Sequence, residues 1–192
     1  LVDCGGGKPA ETGGGDPNAT VVKIGIGAPI TAGSAALGNG MVRAAKLAGK
    51  LASESQEAKD LGIRFEIVPA DDQGDPKTGV NAANTLVSDR AVVGVAGPLN
   101  SGVAIPSSEV YQRAGIVNIS SAATNPMYTA RGMSNVFRTC ADDSVQGPKA
   151  AEYAYNDLDF KTAFVVDDST PYGEGLAAEF AKKFAELGGN VV

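Results

Sequence analysis

The chain has 192 residues, 43% of them hydrophobic and 20% charged, with a formal net charge of −6. No apolar run approaches the ~20 residues that a membrane-spanning helix needs, and no Lys/Arg cluster supplies the basic footprint of a nucleic-acid binder. There is no histidine, which excludes Ser-His-Asp and Cys-His catalytic sets and the HExxH zinc site, and two cysteines neither complete a zinc site unaided nor form a disulfide scaffold.

Residues 1–20 stand apart in composition. Gly5 to Gly7 and Gly13 to Gly15 bracket Lys8, Pro9 and Glu11, and nothing repeats at helix or strand period. This predicts a flexible tether. Cys4 precedes it, and Leu1-Val2-Asp3-Cys4 resembles the end of a bacterial lipoprotein signal, with Leu three residues before the Cys and Asp3 departing from the small residue expected there. Cys4 is therefore the candidate lipidation site.

From residue 21 onward, strands and helices alternate. Val21 to Gly27 is a short β-branched run ending in Gly, a buried strand. Met41, Ala44, Ala45, Ala48, Leu51 and Ala52 recur at helical spacing. Ile63 to Val68 alternates apolar with charged residues, a second strand. Asp75 and Pro76 supply the cap and first turn of a helix running to about Asp89. Further strands are predicted at 91–96, 116–119, 136–138 and 162–166, and a helix at 101–112. Another helix carries Ala151, Ala154, Tyr155 and Leu158 on one face, and a last one carries Leu176, Phe180, Phe184 and Leu187. The chain stops where a new strand begins, after Gly188 and Gly189, which reads as a fragment of a longer protein. The alternation implies an α/β fold with a doubly wound parallel sheet covered on both faces.

Ligands of such sheets bind beyond the carboxyl ends of the strands. The loops to inspect are residues 28–38, 71–75, 97–101, 120–125 and 167–173. In the third, Asn100 or Ser101 can cap the following helix, whose free N–H groups suit a carboxylate; the plainer reading is capping with nothing bound. The fourth, with Ser120, Ser121, Ala122, Ala123, Thr124 and Asn125, offers small hydroxyl residues on a neighbouring strand, and could equally be a bland turn. Two such loops side by side could converge on one ligand. Asp71, Asp72 and Asp75 invite a metal reading, but lack EF-hand spacing and have turn and capping jobs, so no metal is assigned. Gly25 and Gly27 start a dinucleotide motif that fails at Ile30. Cys140 reads as a small hydrophobe rather than a nucleophile. Tyr172 opens a helix, where an aromatic can close over a ligand or pack on the surface.

Taken in order, IGIGAPITAG, ADDQGDPKTGVNAAN, VVGVAGPLNSG, IVNISSAATNPMYTARG, FRTCADDSVQGPKAA and DDSTPYGEGLA resemble the type I periplasmic solute-binding proteins of the leucine/isoleucine/valine receptor family, which feed ABC importers. The resemblance covers residues 21–192. It implies two doubly wound lobes, the second incomplete here: residues 21–140 as the first lobe, a crossover near Thr139 to Ser144, and residues 141–192 as that crossover with the start of the second lobe. It also implies that the first lobe grips the α-carboxylate and α-amino groups of an amino-acid ligand at Ser101, Ala122, Ala123 and Thr124, beside Asn100, with Tyr172 facing them from the second lobe. The chain departs from the family at Leu37, near a cleft tyrosine of the leucine receptor, and at Asn100, where relatives carry a disulfide-forming Cys.

The expectation is an extracytoplasmic protein that captures an amino acid or similar small polar ligand for an ABC transporter permease. It needs no cofactor, performs no chemistry on the ligand and has no nucleic-acid partner, and the membrane is reached through a lipid anchor at Cys4. The alternatives are a sensory domain of the same fold and an α/β enzyme. The enzyme reading lacks a phosphate loop and an evident acid/base pair.

Overall fold

The computed structural model describes residues 18–192; Cys4 and nearly all of the expected tether lie outside the described residues. Among the described residues, fifteen elements follow one another. The strand β1 (Thr20–Ala28) is followed by α1 (Ala35–Glu54), a one-turn helix α2 (Gln56–Asp60) and β2 (Ile63–Asp71). Then come α3 (Pro76–Ser88), β3 (Val92–Ala96), α4 (Ser101–Arg113), β4 (Val117–Ser120) and β5 (Val136–Arg138), with a 3-10 turn at Pro126–Tyr128 before β5. The chain continues with α5 (Asp143–Glu152), whose end widens into a π turn at Tyr153–Asp157, and with β6 (Thr162–Ala163), α6 (Pro171–Glu186) and β7 (Asn190–Val191).

Two parallel sheets result. The larger has the order β2-β1-β3-β4-β5, the smaller pairs β6 with β7. Because a parallel crossover is right-handed, stepping from β1 out to β2 places α1 on one face, and the return steps to β3 and β4 place α3 and α4 on the other. Two separate apolar clusters record this. Ile26, Ala28 and Val42 pack on the α1 side, whereas Leu86, Val95, Val110 and Tyr111 pack on the α3/α4 side.

The expected cover on both faces is only partly met. No helix among the described residues lies over the α1-side face of β3 to β5, so Val117, Ile119 and Phe137 stand exposed there. The cause is topological, since the later crossovers all move in the same direction. The apolar stripe of α1 also differs from the expected one. Its buried residues are Gly38, Val42, Gly49 and Ser53, while Leu51 faces solvent. Close approach decides this: a Cβ on Gly49 would stand 3.1 Å from Ile67, and one on Gly38 would meet the Pro29 carbonyl at 1.9 Å. The predicted strand at 162–166 shortens to two residues, because β6 has only β7 as a neighbour, and Phe164 and Val166 are exposed. On the last helix before β6, Ala151 is buried as expected but Leu158 is exposed.

Candidate functional site

Between the strand ends of the larger sheet and the start of α6 lies a cleft of about 500 Å³. Every loop singled out from the sequence contributes to it: Ser34 and Leu37, Gly74, Leu99 to Ser101, Ala122 and Thr124, and Asp168 with Thr170 to Tyr172. Pro76, the first residue of α3, and Gly102, the second of α4, complete the lining.

The N-terminus of α4 forms the floor. Asn100 occupies its cap position, and its backbone carbonyl accepts the Val103 and Ala104 N–H groups at 3.0 and 2.9 Å. Its side chain makes no capping bond, and Oδ1 is buried without a partner. The amides of Ser101 and Gly102 have no partner within the helix. Ser101 is buried, and its Oγ accepts the Asn125 N–H at 3.1 Å. The hydroxyl proton of Ser101 is thereby left for another acceptor.

The loop after β4 is fastened from below. Ser120 Oγ donates to the Pro98 carbonyl at 2.7 Å and accepts the Ala122 and Ala123 N–H groups at 3.2 and 2.9 Å. Tyr128 donates its hydroxyl to Asn118 Oδ1 at 2.7 Å, and Asn118 in turn holds the Gly97 carbonyl at 2.7 Å. Thr124 is thus carried on a buried, fully tied frame, yet its own Oγ1 is buried without a hydrogen-bond partner. A buried hydroxyl left unpaired is costly unless something fills the place.

Ala123 corrects the expectation. It is fully buried among Ala104, Tyr128 and Val136, and its carbonyl accepts from Arg138 Nη1 at 2.9 Å. With its N–H bound to Ser120 as well, neither its side chain nor its backbone is free for the cleft. Ala122, one residue earlier, does line it. The alternation of side chains around the turn decides between the two neighbours, and the sequence of two alanines carries no sign of it.

The facing wall is the start of α6. Thr170 caps it, accepting the Gly173 N–H at 3.1 Å, and Asp168 accepts the Thr170 N–H and hydroxyl at 3.0 and 2.6 Å. Those bonds from Thr170 hold the Asp168 carboxyl below the usual range. Tyr172 lines the cleft and is half-exposed; Leu37 stands at the rim, exposed. Sequence reasoning did not single out Asp168, Thr170 or Asn125, although all three sit in loops it marked; short polar residues in loops look alike in sequence.

Two carboxylates near the cleft are buried. Burial pushes Asp72 up to about 6, against the Gly74 N–H bond that favours its charge. Asp143, at the start of α5, has neither oxygen partnered. Burial raises its pKa, and the neighbouring Thr124 hydroxyl draws it only partway back. The acidic triplet in the second loop is occupied by local work. Asp71 accepts from the Ile30 and Gln73 N–H groups and the Thr31 hydroxyl, and Asp75 caps α3 through the Thr78 N–H at 2.7 Å. Cys140 is half-buried, a free thiol 4.0 Å from the Ala123 carbonyl.

Residues 21–192 match a family model described as periplasmic binding protein. The Leu/Ile/Val-binding protein homolog 1 of Brucella melitensis is 44% identical over 168 residues, which is 87% of this chain and 44% of that protein. Among solved structures, a leucine binding protein, LivK, of Thermotoga maritima superposes with a TM-score of 0.79 at 30% identity, over 89% of this chain and 47% of that one. LivJ of Streptococcus pneumoniae, a branched-chain amino acid transporter substrate binding protein in complex with isoleucine, gives 0.75 at 26% identity, over 90% and 48%. The chain spans less than half the length of these relatives.

Proposed function

The chain belongs to the periplasmic binding protein family, and from that premise we propose that it is the cleft-forming part of an extracytoplasmic solute-binding protein that captures an amino acid for an ABC importer. One observation carries the reading: the free helix N-terminus at Ser101 and Gly102, the unpaired Thr124 hydroxyl and the half-exposed Tyr172 meet in one cleft of about 500 Å³. That volume falls within the range of small-ligand sites. The helix N-terminus attracts a carboxylate through its oriented N–H groups, and the Ser101 hydroxyl has a proton to add. The Ala122 carbonyl side of the loop and Thr124 Oγ1 offer acceptors to an ammonium group. Asn100 lines the cleft floor, and its Oδ1, buried and unpartnered with no capping bond to make, is a further polar contact for the ligand in this reading. Tyr172 and Leu37 flank the space left for an apolar side chain.

In this reading residues 21–140 form the first lobe, and residues 141–192 hold the crossover and the start of the second. The protein carries its ligand unchanged to the transporter permease. The likeness of LivJ, crystallised with isoleucine, makes branched-chain amino acids the first probes. Calorimetric titration of the full-length protein with L-leucine and L-isoleucine should give saturable binding and a raised melting temperature. Absence of both with every amino acid tried, alongside tight binding of an aromatic acid, would replace the amino-acid reading with another solute.

A further inference from the structure

Asn125 follows Thr124 in the cleft loop, and each of its four polar groups is engaged. Its N–H donates to Ser101 Oγ at 3.1 Å, and its carbonyl accepts from Arg138 Nη1 at 3.1 Å. Its Oδ1 accepts the Met127 N–H at 2.9 Å, starting the 3-10 turn. Its Nδ2 donates to the Pro171 carbonyl at 2.6 Å. The first three bonds stay within the unit built on the larger sheet. The fourth crosses to the first turn of α6, which belongs to the other side of the cleft.

The surroundings are shaped around this crossing bond. The Pro171 ring lies against Gly102 at the floor of the cleft, where a Cβ on Gly102 would stand 3.2 Å from Pro171 Cδ. On α6, a Cβ at Gly175 would stand 2.9 Å from Asn125 Nδ2 and 2.8 Å from Asp143 Oδ2. Only a residue without a side chain lets α6 settle onto Asn125 here. Any rotation that parts α6 from the larger sheet must stretch the Asn125–Pro171 bond and lift Pro171 off Gly102.

We propose that Asn125 is a positioning residue for ligand capture, a clasp that ties the Ser101 hydroxyl to the closed arrangement of the two cleft walls. The inference rests on the proposed binding role of Ser101. When its backbone N–H fills one lone pair of Ser101 Oγ, the hydroxyl proton is directed to a ligand acceptor. When its amide holds Pro171, the walls stay together. Ligand contact and closure thus share one residue that itself touches no ligand.

The test uses the full-length protein with Asn125→Asp. That change keeps an Oδ1 acceptor for Met127 while removing the donor to Pro171. Asn125→Ser, which keeps the turn but is too short to cross, serves as the second variant should the first fail to fold. Loss of one such bond predicts L-leucine binding about tenfold weaker, chiefly through faster dissociation. Without ligand, the amides of residues 172–175 should exchange faster and the radius of gyration should grow. The clasp is overturned if a folded variant keeps the wild-type exchange and dimensions. The two readings fail separately: wild type that ignores L-leucine while the variants loosen α6 refutes the amino-acid reading and supports the clasp.

Discussion

On one wall of the cleft Ser101 and Thr124 are 1% and 7% exposed, whereas Tyr172 on the other is 44% exposed. The first wall is the rim of a five-stranded parallel sheet. Its loops leave adjacent strands and are bound from beneath by Ser120, Asn118 and Tyr128. The second wall is one helix start, held locally by bonds among Asp168, Thr170 and Gly173 and across the cleft by the Asn125–Pro171 bond. The difference divides the labour. Buried donors and acceptors that cannot relax are suited to fix the charged groups of a ligand, and an exposed, locally capped helix end is suited to approach and withdraw.

The contrast can be broken most forcefully at a pair of glycines. A Cβ on Gly97 would meet the Gly27 carbonyl oxygen at 2.1 Å, and its φ of +99° resists any side chain. A Cβ on Gly173 would meet Asp168 Oδ1 at 2.2 Å and the Asp168 backbone nitrogen at 3.1 Å, and the first of these is the end of an exposed side chain that can turn away if its Thr170 bonds are given up. Gly97→Ala should lower stability by at least ~3 kcal/mol, and Gly173→Ala by less, about 1 to 2 kcal/mol for the exposed Thr170 bonds it displaces. Urea titrations of both variants measure this, and equal losses would mean that the two walls are comparably rigid.

Next in size is the effect on ligand binding. Thr124→Ala removes a hydroxyl that makes no hydrogen bond in the folded frame and only moderates the buried Asp143 carboxyl beside it, so the frame loses little. If that hydroxyl meets a charged ligand group, affinity for L-leucine should fall ten- to a hundredfold, about 1.5 to 3 kcal/mol, while the melting temperature of the unliganded protein holds. Tyr172→Ala, on the looser wall, should cost only a few-fold. Calorimetry on the two variants ranks them, and a larger loss at Tyr172 would reverse the assignment of roles.

The smallest effect concerns pH. Asp72, on the rigid side, has its pKa raised by burial from 3.8 to about 6, whereas Asp168 on the exposed side is lowered by its Thr170 bonds. A raised carboxyl pKa favours the protonated folded state. The Asp72 contribution is therefore fully present below about pH 4 and lost as pH rises through about 6. Asp72→Asn abolishes that titration. The variant should gain up to about 2 kcal/mol on wild type at pH 8, with the gain vanishing near pH 4. Urea midpoints at pH 4, 6 and 8 check it, and a difference that stays constant with pH would show that Asp72 is not the titrating group.

How far the sequence reaches can be judged residue by residue. The β-branched runs at 21–27 and 91–96, the Asp75-Pro76 cap and the turn glycines state their local structure directly, because each acts on its immediate neighbours in the chain. The five loops followed from strand order alone, since parallel strands present their carboxyl ends on one side, and all five line the cleft. The family resemblance pointed to Ser101, Ala122, Ala123, Thr124 and Tyr172, of which all but Ala123 line it.

Tertiary structure decided the rest. The buried stripe of α1 was set by how closely Gly38 and Gly49 approach Pro29 and Ile67, not by the spacing of its larger apolar residues. Ala123 turned inward while Ala122 faced the cleft, although the two are chemically identical. The exposed face of β3 to β5 arose from the direction of the crossovers. Asn125 joined two walls 46 residues apart in sequence. Local pattern is written in neighbouring residues, but which of two like side chains faces the ligand, and which amide spans a cleft, depends on groups that meet only when the chain folds.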